Sequence, residues 1–272
     1  RPPRSTLFPY TTLFRSQFGR FVSGILKGDF GTSYVYKTPV LDLIFQRVPA
    51  TAEIVLFTAI LTLVIAIPLG VIAGANPQTK LSKGIMAGSI FGISLPSFWM
   101  GMMLIYVFSV SLQILPASGR AAAGPGGFSF LTPGGWKNLI MPVLTLALGY
   151  SATILRVTRA GIQENMKQDY VKFARAKGVS RRNVLFHHAL KNALVPVVTV
   201  FGLNIGHMFA FTTVTETIFA WPGVGKLLID SILRNDRPII VAYLILVSAM
   251  FVVINFVVDI IYMLVDPRIE LR

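Results

Sequence analysis

Hydrophobic positions in this chain are gathered into five long runs that contain no charged residue. The runs comprise residues 54–75, 84–119, 138–155, 192–215 and 239–258. Each is close to or above the roughly 18 to 20 residues that a helix needs to cross the hydrocarbon layer of a membrane. The second run is long enough to include part of an external loop. The pattern predicts an all-α polytopic helix bundle with five spans, in a transmembrane domain over residues 50–272.

Composition indicates the same class of protein. Hydrophobic residues make up 54% of the 272 residues and charged residues only 13%, which is unlike an ordinary soluble domain. The formal net charge of +14 could indicate nucleic-acid binding, but nine of the 25 Lys and Arg residues lie between Arg156 and Lys191. Such clustering places this loop in the cytoplasm by the positive-inside rule. We therefore expect contact with membrane lipid and not with nucleic acid.

The remaining basic residues extend this topology. Lys80 and Lys83, and Arg268 and Arg272 at the end of the chain, are expected on the cytoplasmic side. Alternation of the five spans then places the first residues outside. Because no hydrophobic export segment precedes residue 17, we expect a further helix before it in the natural protein. Residues 1–16 have neither the length nor the apolar run of such a helix and are expected to be a non-native leader.

Two segments are predicted to lie outside the cytoplasm. Residues 17–49 form an extracytoplasmic segment, in which residues 29–34 have the composition of a turn. Residues 116–137 are rich in Gly and are predicted to be an irregular connector between two spans.

The basic loop of residues 162–196 is the most informative segment. Its composition predicts a helix from Ile162 to Lys177 that is broken at Gly178, and Ser180 is placed to cap a second helix running toward Pro196. The first helix carries apolar residues among basic ones, and a short helix of this kind can dock into a groove on a partner. A basic anchor that only sets topology is the alternative, and charge alone leaves both open.

Residues that could carry chemistry are few. His187 and His188 are adjacent and point about 100° apart on a helix, so they cannot share a metal as residues four apart could. Residues 220–227 resemble a phosphate-binding loop, but Ala220 and Leu227 stand where the pattern requires Gly and Ser or Thr. We therefore predict no catalytic, cofactor or metal site, and no ATP hydrolysis by this chain.

Ionisable residues within the spans are also few. Glu53 and Asp259 lie near the ends of spans, where a local hydrogen bond or contact with the interface is expected. An ion-coupled carrier usually needs carboxylates or broken helices at mid-membrane, and the sequence predicts neither. This pattern disfavours a solitary ion-coupled carrier.

The order of residues in the basic loop resembles the cytoplasmic loop of ABC-transporter permeases, in the version found in the dipeptide/oligopeptide importer family. The loop contains Asp169-Tyr170-Val171, then Ala174-Arg175-Ala176-Lys177-Gly178, then His188-Ala189-Leu190-Lys191-Asn192-Ala193. Four further stretches fit the same family in order: residues 28–33, 95–99, 216–223 and 266–268. The resemblance covers residues 17–272 and excludes residues 1–16 and the family's first transmembrane helix.

This resemblance implies a fold like that of a type I ABC importer permease and a transport subunit that is not an enzyme. The expected partners are cytoplasmic ABC ATPase subunits that use ATP, a second related permease and an extracytoplasmic substrate-binding protein. It implies a coupling loop in which Ala174 and Gly178 occupy small-residue positions, where a larger side chain would clash with the ATPase. The residues assigned to this loop are Asp169, Tyr170, Val171, Ala174, Arg175, Ala176, Lys177 and Gly178.

By the same resemblance, the expected cargo is a di- or oligopeptide and the expected location is a bacterial or archaeal cytoplasmic membrane. Nickel, glutathione or sugars are alternative cargoes within the same importer class. The solitary ion-coupled carrier stays as the alternative from another class.

One further segment has two interpretations. Residues Glu216, Trp221, Pro222 and Gly223 belong to a stretch that resembles the family, and they are candidates for an extracytoplasmic interface or gate. A simpler interpretation is an interfacial turn whose Trp221 lies at the level of the lipid headgroups.

Overall fold

Helices account for nearly all the regular structure in the computed structural model, which describes residues 9–265. Their bounds are α1 Pro9–Leu26, α2 Val40–Ala75, α3 Lys80–Ser94, α4 Ser97–Ser111, α5 Gly135–Asn165, α6 Asp169–Ala176, α7 Arg181–Ile218, α8 Val224–Leu233 and α9 Arg237–Val265. Within these residues, β structure is limited to an isolated bridge between Thr32 and Pro39. The family stretch at residues 266–268 lies outside the described residues.

The membrane spans agree in number with the five hydrophobic runs. Four helices, α2, α5, α7 and α9, are long and apolar enough to cross a membrane, and α3 with α4 makes a fifth if that bent pair counts as one span. Two bounds differ from the prediction. Helix α2 begins at Val40, ten residues before the predicted transmembrane domain, and α1 runs through the boundary expected at residue 17.

The second hydrophobic run forms two helices that meet at a sharp bend, and not one straight helix. Helices α3 and α4 meet at an angle of 101° around Leu95 and Pro96. Proline lacks the amide hydrogen that would continue α3, and it disfavours helical geometry at the residue before it. The hydrophobic pattern alone did not predict this break.

Helices α2 and α5 form the centre of the bundle, where glycine allows their backbones to touch. A methyl group at Gly70 would lie 2.6 Å from Cβ of Thr158, and one at Gly74 would lie 2.7 Å from Cβ of Ile162. Small residues at four-residue spacing permit such close packing in lipid. Helix α7 meets α9 in a similar way, because Gly202 packs against the side chain of Val258.

The two loops predicted to be cytoplasmic lie together at one end of the bundle, and the segments predicted to be external lie at the other. The side chain of Arg181, in the basic loop, donates a hydrogen bond to the side chain of Asn76, in the connector that leads to Lys80. At the opposite end, the backbone amide of Gly119 donates to the carbonyl of Phe219 at 2.7 Å. We call this opposite end, formed by residues 27–53, 116–138 and 216–237, the outer end.

Candidate functional site

Helix α6, Asp169–Ala176, is a separate element that contains most of the residues predicted for the coupling loop, and we call it the coupling helix after that predicted role. Helix α5 ends at Asn165, and residues 166–168 turn the chain before α6 begins. The single helix predicted from Ile162 to Lys177 is therefore wrong at this turn. At the other end Gly178 has φ +80°, a left-handed conformation that glycine adopts without strain, and it ends the helix as expected.

The inner face of α6 packs on the protein itself. Val171 is fully buried and Ala174 nearly so, and both contact the fully buried Val184 at the start of α7. A larger side chain at residue 174 would first disturb this internal contact. The clash between a larger residue 174 and the ATPase stays a prediction, and this internal contact is a second reason for a small residue there.

The hydroxyl of Tyr170 ties the coupling helix to both neighbouring spans. It donates a hydrogen bond to Oδ1 of Asn165 at 2.5 Å and accepts one from Nδ2 of Asn192 at 2.9 Å. Asn165 ends α5, and Asn192 lies in α7. The position of α6 is therefore set by side chains from the helices on either side of it.

The outer face of α6 is exposed and carries an aromatic ring with a basic rim. Phe173 is 62% exposed, and Nζ of Lys177 lies 4.5 Å from the centre of its ring. Lys172 pairs with Asp169 at 2.8 Å, and this contact lowers the pKa of the exposed Asp169 carboxyl. The other predicted loop residues on the surface are Arg175, Ala176 and Gly178.

The second helix of the loop begins as predicted but extends much farther. Oγ of Ser180 accepts a hydrogen bond from the amide of Asn183 at 3.4 Å, which confirms the predicted cap. Helix α7 then continues through a π-helical stretch, Val184–Leu190, and past Pro196 to Ile218. The coupling loop is thus joined to a transmembrane span by unbroken helix.

At the outer end, Glu216 is fully buried and organises the turn that follows it. One carboxyl oxygen accepts a hydrogen bond from the hydroxyl of Thr51 at 2.6 Å, and the other accepts one from the amide of Lys226 at 2.8 Å. The amide of Val224 donates to Thr51 at 2.9 Å. Glu216 and Thr51 thereby satisfy two of the free amides at the start of α8.

The other predicted outer-end residues pack around this carboxyl group. Trp221 is fully buried, and its indole nitrogen donates to the carbonyl of Ala50 at 2.8 Å, so its ring contacts protein and not lipid. A methyl group at Gly223 would lie 2.3 Å from the carboxyl carbon of Glu216. Pro222, between them, is partly buried. The four residues therefore form one packed turn.

A second buried carboxylate holds a loop that was predicted to be only a connector. Glu53 is fully buried, pairs with Nε of Arg120 at 2.9 Å and accepts a hydrogen bond from the hydroxyl of Ser129 at 2.9 Å. The predicted local hydrogen bond of Glu53 is confirmed. The connector prediction is wrong, because residues 116–137 fasten to α2 through these contacts.

Sequence reasoning missed a third buried carboxylate, Asp236. Its side chain accepts hydrogen bonds from the hydroxyl of Ser33 at 2.5 Å and from the amides of Tyr34 and Val35 at 3.1 and 3.2 Å. The composition of residues 29–34 predicted a turn, but it did not indicate that Asp236 would bind this turn.

Comparison with known proteins identifies the family. Residues 66–271 match the family described as "Binding-protein-dependent transport system inner membrane component". The chain belongs to this family. The resemblance seen in the basic loop is thereby confirmed, and the solitary ion-coupled carrier is excluded.

Curated relatives extend the match over most of the chain. The chain is 41% identical over 255 residues to the oligopeptide transport system permease protein AppB of Bacillus subtilis (strain 168), covering 93% of this chain and 80% of that protein. It is 39% identical over 271 residues to the di/tripeptide transport system permease protein DppB of Pseudomonas aeruginosa (strain UCBPP-PA14), with the same coverage of 93% and 80%.

A solved structure supports the fold independently. The chain superposes with a TM-score of 0.66 on a chain of the MetNI methionine ABC transporter in an inward-facing conformation. The two chains are 17% identical, and the match covers 83% of this chain and 97% of the other. The chain is therefore an inner-membrane permease subunit with the all-α fold of ABC importer permeases.

Proposed function

We propose that this permease carries di- or oligopeptides into the cell and takes its energy from separate cytoplasmic ABC ATPase subunits that dock on α6. A second, related permease completes the pathway, and an extracytoplasmic binding protein delivers the peptide. ATP is hydrolysed by the ATPase subunits and not by this chain. The names of the two curated relatives support peptides as the cargo.

The exposed outer face of α6 carries this proposal. An apolar anchor surrounded by basic groups suits a groove on a partner, since the ring provides affinity and the charges fix orientation. Phe173 is such an anchor, with Lys177 beside it. The inner face of the same helix packs against Val184 through Val171 and Ala174, and this contact holds α6 on the protein.

The same geometry supports a mechanism of alternating access. ATP binding draws the ATPase subunits together, and the movement reaches the bundle through α6. Tyr170 passes it to α5 and α7, since its hydroxyl is bonded to Asn165 and Asn192. The bundle responds only if the ATPase makes different contacts with α6 in its two states.

Replacement of Phe173 tests the docking. In the complete complex we expect Phe173→Ser to reduce co-purification of the ATPase and ATP-driven peptide uptake by at least tenfold, because it removes the apolar anchor. Phe18→Ser is the matched control, since Phe18 is 60% exposed and belongs to a segment predicted to be extracytoplasmic. Retention of the ATPase by Phe173→Ser would contradict docking on α6.

The cargo is tested separately with the native complex. Uptake of dipeptides and oligopeptides is compared with uptake of nickel, glutathione and a disaccharide in proteoliposomes that contain ATP. ATP-dependent uptake of the peptides alone is expected. Preference for another of these solutes would overturn the peptide assignment and leave the permease assignment intact.

A further inference from the structure

A cavity of about 470 Å³ lies at the outer end, between α1, the turn at residues 29–34 and the start of α9. Three charged side chains line it: Arg20 from α1, Asp29 from the turn and Arg237 from α9. Phe21 and Val241 add apolar surface to the same walls. The cavity therefore combines charges of both signs with an apolar surface.

The three charged groups are open to a ligand. Among the described side chains, Arg20, Asp29 and Arg237 form no ion pair with one another or with any other residue. All three residues are exposed. One carboxyl oxygen of Asp29 accepts a hydrogen bond from the amide of Gly31 at 2.9 Å, which holds this group at the wall of the cavity. Opposite charges that share a cavity without pairing suit a ligand that carries both charges.

Arg237 gives the depth of the cavity relative to the membrane. It lies two residues before the uncharged run 239–258, which at about 1.5 Å per residue covers about 30 Å, the thickness of the hydrocarbon layer. Arg237 is therefore at the outer edge of this layer, where phospholipid headgroups lie. Val241 and Leu244, farther along α9 into the membrane, are both exposed. An acyl chain that starts at the cavity can follow this side of α9.

Helix α1, on the other side of the cavity, also presents apolar residues. Phe21, Val22 and Leu26 are exposed, and their spacing places them on one side of the helix. Arg20 lies on the opposite, polar side. A helix with this pattern is stable along the membrane surface, where its apolar side is covered by lipid. Both walls of the cavity therefore continue into surfaces that suit lipid.

We propose that this cavity binds the headgroup of an outer-leaflet phospholipid with a primary ammonium group, as in phosphatidylethanolamine. Arg20 and Arg237 donate hydrogen bonds to the phosphate oxygens, a contact that the guanidinium group suits well. Asp29 accepts a hydrogen bond from the ammonium group. The lipid joins α1 to α9, because its phosphate is shared between one arginine of each helix.

A peptide offers the same two charges, but the walls favour a lipid. Phe21 and Val241 form an apolar surface that continues along the span, and acyl chains match it whatever the headgroup. The side chains of a peptide match it only in apolar sequences. The inference therefore concerns a membrane lipid and does not depend on the identity of the cargo.

The test measures lipid binding to the full chain, purified in detergent, by native mass spectrometry. The probes are phosphatidylethanolamine, phosphatidylglycerol, which lacks the ammonium group, and glycerophosphoethanolamine, which has the same headgroup without acyl chains. Trialanine represents a peptide. We expect the native chain to bind phosphatidylethanolamine roughly five- to tenfold more tightly than phosphatidylglycerol, the size of one charged hydrogen bond at an exposed site. The two soluble probes should bind more weakly than either lipid.

Two variants separate the phosphate contact from the ammonium contact. Arg237→Gln should weaken the binding of both lipids by roughly five- to tenfold, because both contain the phosphate. Asp29→Asn should weaken phosphatidylethanolamine alone, so that the ratio of the two Kd values moves toward one. This change keeps the side-chain oxygen that accepts from Gly31.

Matched controls make the same chemical changes elsewhere at the outer end. Arg234→Gln and Asp42→Asn replace exposed residues that do not line the cavity, and both should leave the two Kd values unchanged. Circular dichroism of every variant reports whether the helices are retained. If Arg237→Gln loses helical structure, Arg20→Gln takes its place, with the same expected loss of binding.

Three outcomes would overturn the proposal. Native affinity for phosphatidylethanolamine in the folded arginine variant would show that the phosphate is not held in this cavity. A native ratio of Kd values in Asp29→Asn would reject recognition of the ammonium group. Binding of glycerophosphoethanolamine or trialanine as tight as that of the lipid would make the cavity a site for soluble zwitterions.

Discussion

At the outer end, three fully buried carboxylates each hold segments that are distant in sequence, whereas at the coupling end the side-chain bonds of α6 are largely exposed. Glu53, Glu216 and Asp236 connect α2, α7 and the start of α9 to the external segments. Tyr170, whose hydroxyl holds α6 in place, is 39% exposed. Buried carboxylates with several partners fasten the segments of the outer end to one another, while the other end keeps an exposed surface that a partner can contact.

This difference predicts that removal of one polar group lowers the free energy of unfolding more at the outer end than at the coupling end. A buried carboxyl group leaves several donors unpaired when it is lost, whereas water replaces the partner of an exposed group.

The largest effect is expected for Glu216→Ala. This change leaves the Thr51 hydroxyl and the Lys226 amide without their acceptor in the interior. We expect it to lower the free energy of unfolding by about 3 kcal/mol, measured by thermal unfolding in detergent. Glu164→Ala is the control, since Glu164 is exposed at the end of α5. Equal midpoints of thermal unfolding for the two variants would contradict the role of Glu216 in holding the outer end together.

A smaller effect is expected for Tyr170→Phe. The ring stays, but the hydrogen bonds with Asn165 and Asn192 are lost, at a cost of about 1 kcal/mol. Hydrogen exchange should become faster in α6 and stay unchanged in α8. Tyr34→Phe, at an exposed tyrosine of the outer end, serves as control. Unchanged exchange in α6 would show that the hydroxyl does not position the coupling helix.

The smallest effect is expected for Asp169→Asn. Hydrogen bonding and charge attraction from Lys172 lower the pKa of this carboxyl from its ordinary value of 3.8. Its contribution is therefore present above that value and is lost as the pH falls through the lowered pKa of the folded state. Both side chains are exposed, so water screens the pair and the melting temperature at pH 7 should hardly change.

The same variant should match the native protein once the pH falls below the lowered pKa, because the carboxyl is then protonated in both states. A clear loss of stability at pH 7 would place Asp169 among the supporting groups of α6 and not on its open surface.

Sequence alone predicts those features of this fold that depend on one stretch of chain. Hydrophobic runs identify the spans, and basic residues identify the cytoplasmic end, since both follow from transfer between water and lipid. The break at Pro96 could be predicted, because proline is restrictive in any helix. The turn after Asn165 could not be predicted, since residues 166–168 contain neither Gly nor Pro.

The polar contacts of the outer end could not be predicted, because their partners are far apart along the chain. Glu53 and Arg120 are separated by 67 residues, and Ser33 and Asp236 by 203. No local pattern indicates which distant donor will neutralise a buried carboxylate.

The continuous helix Arg181–Ile218 connects the coupling loop directly to the outer end of the bundle. Its 38 residues span about 57 Å, from the coupling loop to Glu216. Gly202, close to the middle of this helix, packs tightly against the side chain of Val258. A tilt of the helix would pivot at this contact. A tilt of about 10° around that point would swing the two tips by about 5 Å in opposite directions. Closure beneath the membrane and opening above it would then be one movement.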